Sequence, residues 1–386
     1  MSANAVVFIG MVYPWGIIRH FALLGVELYK TKLGFDFFFA SIERSPDNGA
    51  WNIVDASIST AAIIKKETFA EIVSACDDLF AKYDKVLVHC GGGWGQTKAF
   101  LPLRKKYGKR LVLVGTTHSY RHDSWMRIPM SAFQSLLYLA FYDKIVFQCQ
   151  YAADKFWGAR MLFARHKGCV IPLGCEPFES PDATPPVGIA AKPELCALLM
   201  DKALFKLVYL AGFRPGKKHV WLVESIAPVL RKHPEARLLF CGTGDESVIA
   251  DVRTAIAMAK MENQIILTGQ IQRQEVPWLL MHSNCAVVPS RAETFGHNFL
   301  EPMFAGLPVV GTPVGIGRDI IINGETGRKF SLSSRSSLQA AVESVVSDPA
   351  MARQMGEKAQ QMVLSRFKHS DVAKELVSLY SGLLNG

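Results

Sequence analysis

Short apolar runs alternate with longer amphipathic segments along almost the whole chain, in two series separated by a proline-rich stretch. This alternation is the pattern of βαβ units, whose parallel strands are covered by helices on both faces and therefore read as unbroken apolar runs. The first series predicts strands at Ala5 to Ile9, Phe35 to Ala40, Lys85 to His89, Arg110 to Val114, Lys144 to Phe147 and Gly168 to Ile171. The second predicts strands at Phe205 to Leu210, Arg237 to Cys241, Gln264 to Leu267, Asn284 to Val288 and Leu307 to Val310. Between them, Pro177, Pro181, Pro185 and Pro186, with Ser180 and Gly188, suit neither a helix interior nor a central strand, so a linker is expected. From Met351 onward the apolar spacing is helical, through Met355, Met362, Leu364 and Phe367 and then Val372, Leu376, Leu379 and Leu383. The expected class is α/β, with two Rossmann-like doubly wound domains. Their spans are 1–179 and 204–365, with the linker at 180–203 and a last helix at 366–386. With 386 residues and 49% hydrophobic content, the chain is long enough to bury two cores.

The formal charge of +9 and pI near 9.1, with Lys and Arg in both halves, favour anionic ligands or an anionic membrane surface. Zinc-finger spacing, an aromatic RNP-like strand and a basic arm are all missing, which argues against nucleic acid. Eight scattered cysteines, mostly in apolar runs and without any Cys-x-x-Cys pair, predict buried reduced thiols of a cytoplasmic protein and no structural zinc. The start of the chain lacks the layout of a signal peptide, because Pro14, Gly16 and Arg19 interrupt its apolar run. The longest uncharged stretch, Ile128 to Tyr142, is 15 residues long and too short to span a bilayer.

One segment carries most of the chemistry: Val288-Pro-Ser-Arg-Ala-Glu293-Thr-Phe-Gly296-His-Asn-Phe-Leu-Glu301-Pro302. Pro302 has no N–H and is tolerated in a helix only near its start, so a helix should begin within a few residues before it. Gly296 then stands at the helix mouth, where free N–H groups and the positive dipole end favour a phosphate. Glu293 and Glu301 flank that point, and a carboxylate, which accepts and does not donate, suits the vicinal hydroxyls of a sugar or a ribose. The competing interpretation is structural: Asn298-x-x-Glu301 also fits a helix cap worth about 1 kcal/mol.

The Glu-x7-Glu pattern resembles the signature of the retaining nucleotide-sugar glycosyltransferases of family 4, which have the GT-B fold. The resemblance implies two Rossmann-like domains facing across a cleft, with the last helix crossing back to the N-terminal domain. It also implies that Glu293 contacts the transferred sugar and Glu301 the ribose, with Thr294, Phe295, Gly296 and His297 forming the loop against the donor. In Gly212-Phe-Arg214-Pro-Gly-Lys217-Lys218, a strand end runs into a turn bearing fixed cations, which suits a diphosphate. The resemblance aligns Arg214 and Lys217 with residues that neutralise the leaving pyrophosphate, Lys218 being the alternative to Lys217. A solvated basic turn would account for the same residues. Gly242 and Gly244, and Gln270 with Ile271, resemble the loops that cradle the nucleotide. His118, after the strand Leu111 to Val114, resembles the histidine close to the transferred sugar, and Gly16 the phosphate-approaching glycine of the first loop. Val170-Ile-Pro-Leu-Gly-Cys-Glu176, Gly311 to Gly317 and Asn323 to Gly327 extend the resemblance over most of the chain. It matches the donor half more closely than the acceptor half, where Gly16 stands without the family's usual second glycine.

The expectation is a retaining glycosyltransferase that moves a sugar from a UDP or GDP sugar to a glycan, lipid-linked or small-molecule acceptor. No bound cofactor is expected, and no metal, since the chain has no Asp-x-Asp pair. A nucleotide-sugar epimerase or sugar phosphorylase of the same plan, and a catalytically silent GT-B scaffold, are the alternatives.

Overall fold

The computed structural model describes residues 4–11, 18–31, 34–42, 54–91, 93–117, 128–156, 158–178 and 184–386. The chain divides into two compact units, Met1–Gly174 with Phe367–Gly386, and Cys175–Arg366.

The first unit is built on seven parallel strands: β1 (Asn4–Met11), β2 (Asp36–Ile42), β3 (Ile63–Lys66), β4 (Lys85–Gly91), β5 (Leu111–Thr117), β6 (Lys144–Phe147) and β7 (Gly168–Val170), in the order β3-β2-β1-β4-β5-β6-β7. Alternation along β1 divides its side chains between two cores. Val6 and Phe8 face one cluster with Leu87, Val112 and Val114. Ala5, Val7 and Ile9 face the other with Val86, Val88 and Leu113. Residues two apart share a face, so both faces of the sheet demand a helical cover. On the first face that cover includes the helices Ile18–Lys30 and His369–Asn385, the latter through Val372, Leu376, Tyr380 and Leu384. Lys85 Nζ caps this last helix by donating to the Leu384 carbonyl at 2.8 Å, and the buried His89 ring hydrogen-bonds the Tyr380 hydroxyl.

The uncharged stretch beginning at Ile128 is the helix Ile128–Phe141. It buries Ser135 and Tyr138 and leaves Leu136 exposed, with the exposed Phe133 ring 5.5 Å from that of Trp94. No described helix is long and apolar enough to cross a membrane.

The second unit repeats the plan with β8 (Phe205–Leu210), β9 (Ala236–Cys241), β10 (Ile265–Gly269), β11 (Cys285–Val288), β12 (Val309–Gly311) and β13 (Gly327–Lys329), all parallel and ordered β10-β9-β8-β11-β12-β13. In both units the strand order reverses beside the first strand, between β1 and β4 and between β8 and β11. In open α/β sheets, ligands bind outside the carboxyl ends of the strands at such a reversal. Within the stretch expected as a linker, Val187–Ala190 and Pro193–Met200 are helical and bury Ile189, Leu195 and Leu199 within the second unit. Pro193 starts its helix, where its missing N–H costs nothing.

The strands expected in the sequence are present with small shifts at their ends, and β3 and β13 are additions. β3 reads Ile-Ile-Lys-Lys with its lysines exposed, and β13 reads Gly-Arg-Lys without an apolar side chain. Both are sheet edges, half solvated, and so carry no apolar run. Among the described residues, all eight cysteines are free thiols and six are buried. Burial pushes the thiols of Cys90, Cys241 and Cys285 up to about 12, which leaves them protonated and unreactive.

Candidate functional site

Five loops leave the carboxyl ends of β8 to β12, and they are stitched together by backbone bonds. After β8, Phe213 is buried and stacks on the His219 ring at 4.3 Å. A 3-10 turn, Pro215–Lys217, follows, and Lys218 then takes a left-handed backbone at φ +61° before the helix His219–Lys232. The loop after β9 lies directly on this one: a Cβ on Gly242 would stand 2.3 Å from the Ala211 oxygen, and one on Gly244 would stand 2.4 Å from the Phe213 oxygen. No side chain fits at either position, which accounts for the two glycines. After β10, Lys192 Nζ donates to the carbonyls of Thr268 and Gln270, each at 2.9 Å, and so fixes the loop that leads to Ile271.

The loop after β11 carries the two glutamates. Arg291 N–H donates to the Gly216 carbonyl at 3.0 Å, tying this loop to the β8 turn. Ile316 N–H donates to the Phe295 carbonyl at 2.6 Å, tying it to the loop after β12. Gly315, at φ +55°, makes that second approach possible, because a Cβ there would fall 2.2 Å from the Phe295 oxygen and 2.8 Å from the Glu293 Cβ. Gly296 caps the helix His297–Phe304 in a left-handed conformation, φ +99°. Pro302 lies in the second turn of that helix rather than its first.

The cap interpretation of Asn298 and Glu301 does not hold. The helix has no side-chain cap. Instead Asn298 Nδ2 donates to Glu293 Oε1 at 3.2 Å, and Glu301 Oε1 pairs with the guanidinium of Arg273. Glu293 Oε1 also receives Lys217 Nζ. Each glutamate thus meets a cation delivered by a different strand-end loop, Lys217 from β8 and Arg273 from β10. Both carboxylates are largely buried, with side-chain exposures of 12% and 7%. Burying a carboxylate is costly unless it is paired and hydrogen-bonded, and these contacts supply the partners.

Of the residues expected at the site, Lys217, Glu293, Thr294, Phe295, Gly296, His297 and Glu301 share this corner. Phe295 is buried, with the His297 ring edge-on to it at 5.2 Å. Gly242 and Gly244 line the neighbouring loop, and Gln270 and Ile271 the next. Arg214 is exposed, and neither its side chain nor that of Lys218 has a bonding partner among the described residues. Lys217 and Lys218 therefore differ, since only Lys217 reaches Glu293. Gly16 and His118 lie outside the described residues. Arg273 and Lys192 were not expected from the sequence, and Asn298 and Gly315 take parts other than those the sequence suggested. Arg273 and Lys192 act across loops far apart in the chain, where no local pattern marks them. Among the described residues no group of three His, Cys, Asp or Glu is placed to hold a metal ion.

Residues 198–362 match the family described as Glycosyl transferases group 1. The chain is 25% identical over 178 residues to N-acetyl-alpha-D-glucosaminyl L-malate synthase of Bacillus anthracis, covering 46% of this chain and 45% of that protein. It is 30% identical over 167 residues to glycogen synthase of Mycobacterium tuberculosis, covering 42% and 39%. The chain thus spans less than half the length of these curated relatives. Among solved structures, Anabaena HepE in complex with UDP superimposes with a TM-score of 0.73 at 15% identity, covering 98% of this chain and 100% of that one. Sucrose-phosphate synthase from Thermosynechococcus elongatus superimposes at 0.69 with 19% identity, covering 99% of each chain. At such identities the superpositions speak for the fold alone. The match to the Glycosyl transferases group 1 family thus covers residues 198–362, in a chain whose two units each carry a parallel α/β sheet and which shares its fold with these solved structures.

Proposed function

We propose that this protein is a retaining glycosyltransferase that transfers a sugar from a nucleoside-diphosphate sugar, UDP or GDP sugars first, to an acceptor hydroxyl in glycan, polysaccharide or glycolipid assembly. The observation that carries the proposal is the pair of buried carboxylates, Glu293 and Glu301, each held by a cation from a separate loop at the β8/β11 reversal. Cleavage of a sugar–diphosphate bond builds negative charge on the phosphate and positive charge at the anomeric carbon. Arg214, Lys217 and the N–H groups beside Gly296 stabilise the first. Glu293 orients the sugar, Glu301 accepts from the ribose hydroxyls, and His118 keeps the sugar-positioning role that the resemblance implies. The donor phosphate takes the acceptor proton on the same face, which retains the anomeric configuration. Lys217 exchanges the Glu293 carboxylate for the diphosphate on binding and thereby releases Glu293 to the sugar.

These side-chain cations meet the charge of the leaving group, so turnover is expected to survive chelation of divalent ions. Similarity to HepE, solved with UDP and glucose, supports a nucleotide donor. The acceptor belongs to the first unit. That unit holds 23 Lys and Arg against 15 Asp and Glu, whereas the second holds 20 against 19, so almost all the net charge sits there. With Trp94, Phe133 and Leu136 exposed on the same unit, this favours an acceptor presented at an anionic membrane surface. Failure to sediment with anionic liposomes would remove that element.

A thermal-shift series with UDP, GDP and ADP tests the donor. A ligand at 100 times its Kd stabilises by about 2.7 kcal/mol, a readily measured rise in Tm. Glu293→Ala is expected to abolish transfer while keeping its Tm, and wild-type turnover in that variant would sink the assignment. Turnover of donor without acceptor would indicate an epimerase, and failure to bind any nucleoside diphosphate a silent scaffold.

A further inference from the structure

We infer that Arg273 is the positioning residue for the ribose, acting through Glu301, and that it sets a preference for ribonucleotide over 2′-deoxyribonucleotide donors. The inference rests on the glycosyltransferase proposal above and adds to it a residue with no assigned part in the reaction. Arg273 Nη1 bonds Glu301 Oε1. The glutamate side chain is 7% exposed and the arginine 45%, so the guanidinium covers the carboxylate from the solvent side.

Its own backbone is held from both flanks. Arg273 opens the short turn Arg273–Glu275, which the buried Glu275 closes by accepting from Gln272 N–H at 2.9 Å. Glu275 in turn packs on Gly188, where a Cβ would stand 2.0 Å from Glu275 Oε1. On the other flank, Lys192 fixes the carbonyls of Thr268 and Gln270. With the backbone held at both flanks, the guanidinium reaches Glu301 from a fixed origin and holds one oxygen of its carboxylate in place.

Orientation matters because two vicinal hydroxyls need both oxygens of one ionised carboxylate in a defined plane. Without the guanidinium, the carboxylate loses the bond that fixes its rotation and can turn away from the ribose. The two ion pairs therefore differ in kind. Lys217 must leave Glu293 to hold a diphosphate, whereas Arg273 keeps Glu301 when the donor arrives.

The test is calorimetric titration of the full chain with UDP or GDP, whichever stabilises it more, and with the 2′-deoxy analogue, for wild type, Arg273→Gln and Arg273→Lys. Donor kinetics are measured alongside. Wild type should prefer the ribonucleotide by about tenfold or more, the scale of one hydrogen bond to a charged group. Arg273→Gln should lose about tenfold in ribonucleotide affinity and little for the deoxy form, so that the preference collapses. Arg273→Lys should recover part of it. The donor KM should rise by a similar factor while kcat at saturating donor stays within about twofold. An unchanged preference in Arg273→Gln, an equal loss for both nucleotides, or a fall confined to kcat overturns the role of Arg273 while leaving the glycosyltransferase proposal intact. Wild type binding none of UDP, GDP and ADP overturns both.

Discussion

His219 is a base that the fold keeps neutral. Its ring is buried and stacked on Phe213, and neither nitrogen has a hydrogen-bond partner among the described residues. Desolvation, helped by the charge of Lys217, lowers its pKa from 6.5 to about 4. The unfolded chain binds this proton near pH 6.5 and the folded chain only near pH 4. Stability is therefore fully present above pH 6.5 and is lost as the pH falls toward 4, by about 3 kcal/mol in all. His219→Leu should show a smaller drop in Tm between pH 7 and pH 5 than wild type, and an equal drop would place the acid lability elsewhere. Glu293 and Lys217 form the second residue-scale case. Lys217→Ala and Glu293→Gln should each weaken donor binding, and in the double variant the losses should fall short of their sum, because the two side chains pair with each other. Glu293 and Glu301 could be named from spacing alone because both lie on one short segment. Arg273 and Asn298 could not: the spacing of Asn298 fits a helix cap equally well, whereas its amide donates to Glu293, and the bond from Arg273 spans two separate loops.

At the scale of elements, the glycines show which loops must touch. Gly315 lets the β12 loop close on Phe295, and its φ of +55° already disfavours a side chain. Gly315→Ala is expected to shift the loop that carries Glu293, with donor affinity falling about tenfold or more while the distant sheet stays protected in hydrogen exchange. Unchanged donor affinity would show that the loop accommodates the methyl group. Gly327 does the same for an edge strand, since a Cβ there would stand 2.1 Å from the Val309 oxygen and force β13 away from β12. Central strands such as β4 and β5 were legible as apolar runs because helices cover both faces. β3 and β13 were not, because an edge strand is recognised by what it pairs with and these two carry lysines, arginine and glycine.

At the scale of the whole molecule, the chain leaves its first unit at Gly174 and returns to it at Phe367. The last helix contributes Val372, Leu376, Tyr380 and Leu384 to the first unit's core, so chain order and core membership part company there. Tyr380 is fully buried and bonded to His89. Tyr380→Ala should cost about 3–5 kcal/mol, as for a large aromatic emptied from a core. Hydrogen exchange should locate the loss in strands β1 and β4. A nucleotide should protect loops of the Cys175–Arg366 unit instead, and protection confined to the first unit would contradict the donor assignment. The sequence by itself determined the α/β class, most of the strands and the segment bearing the two glutamates, because each is written in contiguous residues whose spacing matches a strand, a helix or a glycine turn at a helix start. Only the tertiary structure decided that Lys217 rather than Lys218 meets Glu293, that Arg273 holds Glu301, and that Tyr380 of the final helix meets His89 in the first core. Those contacts join side chains tens to hundreds of positions apart, and only parallel strand order brings their loops to one edge of the sheet.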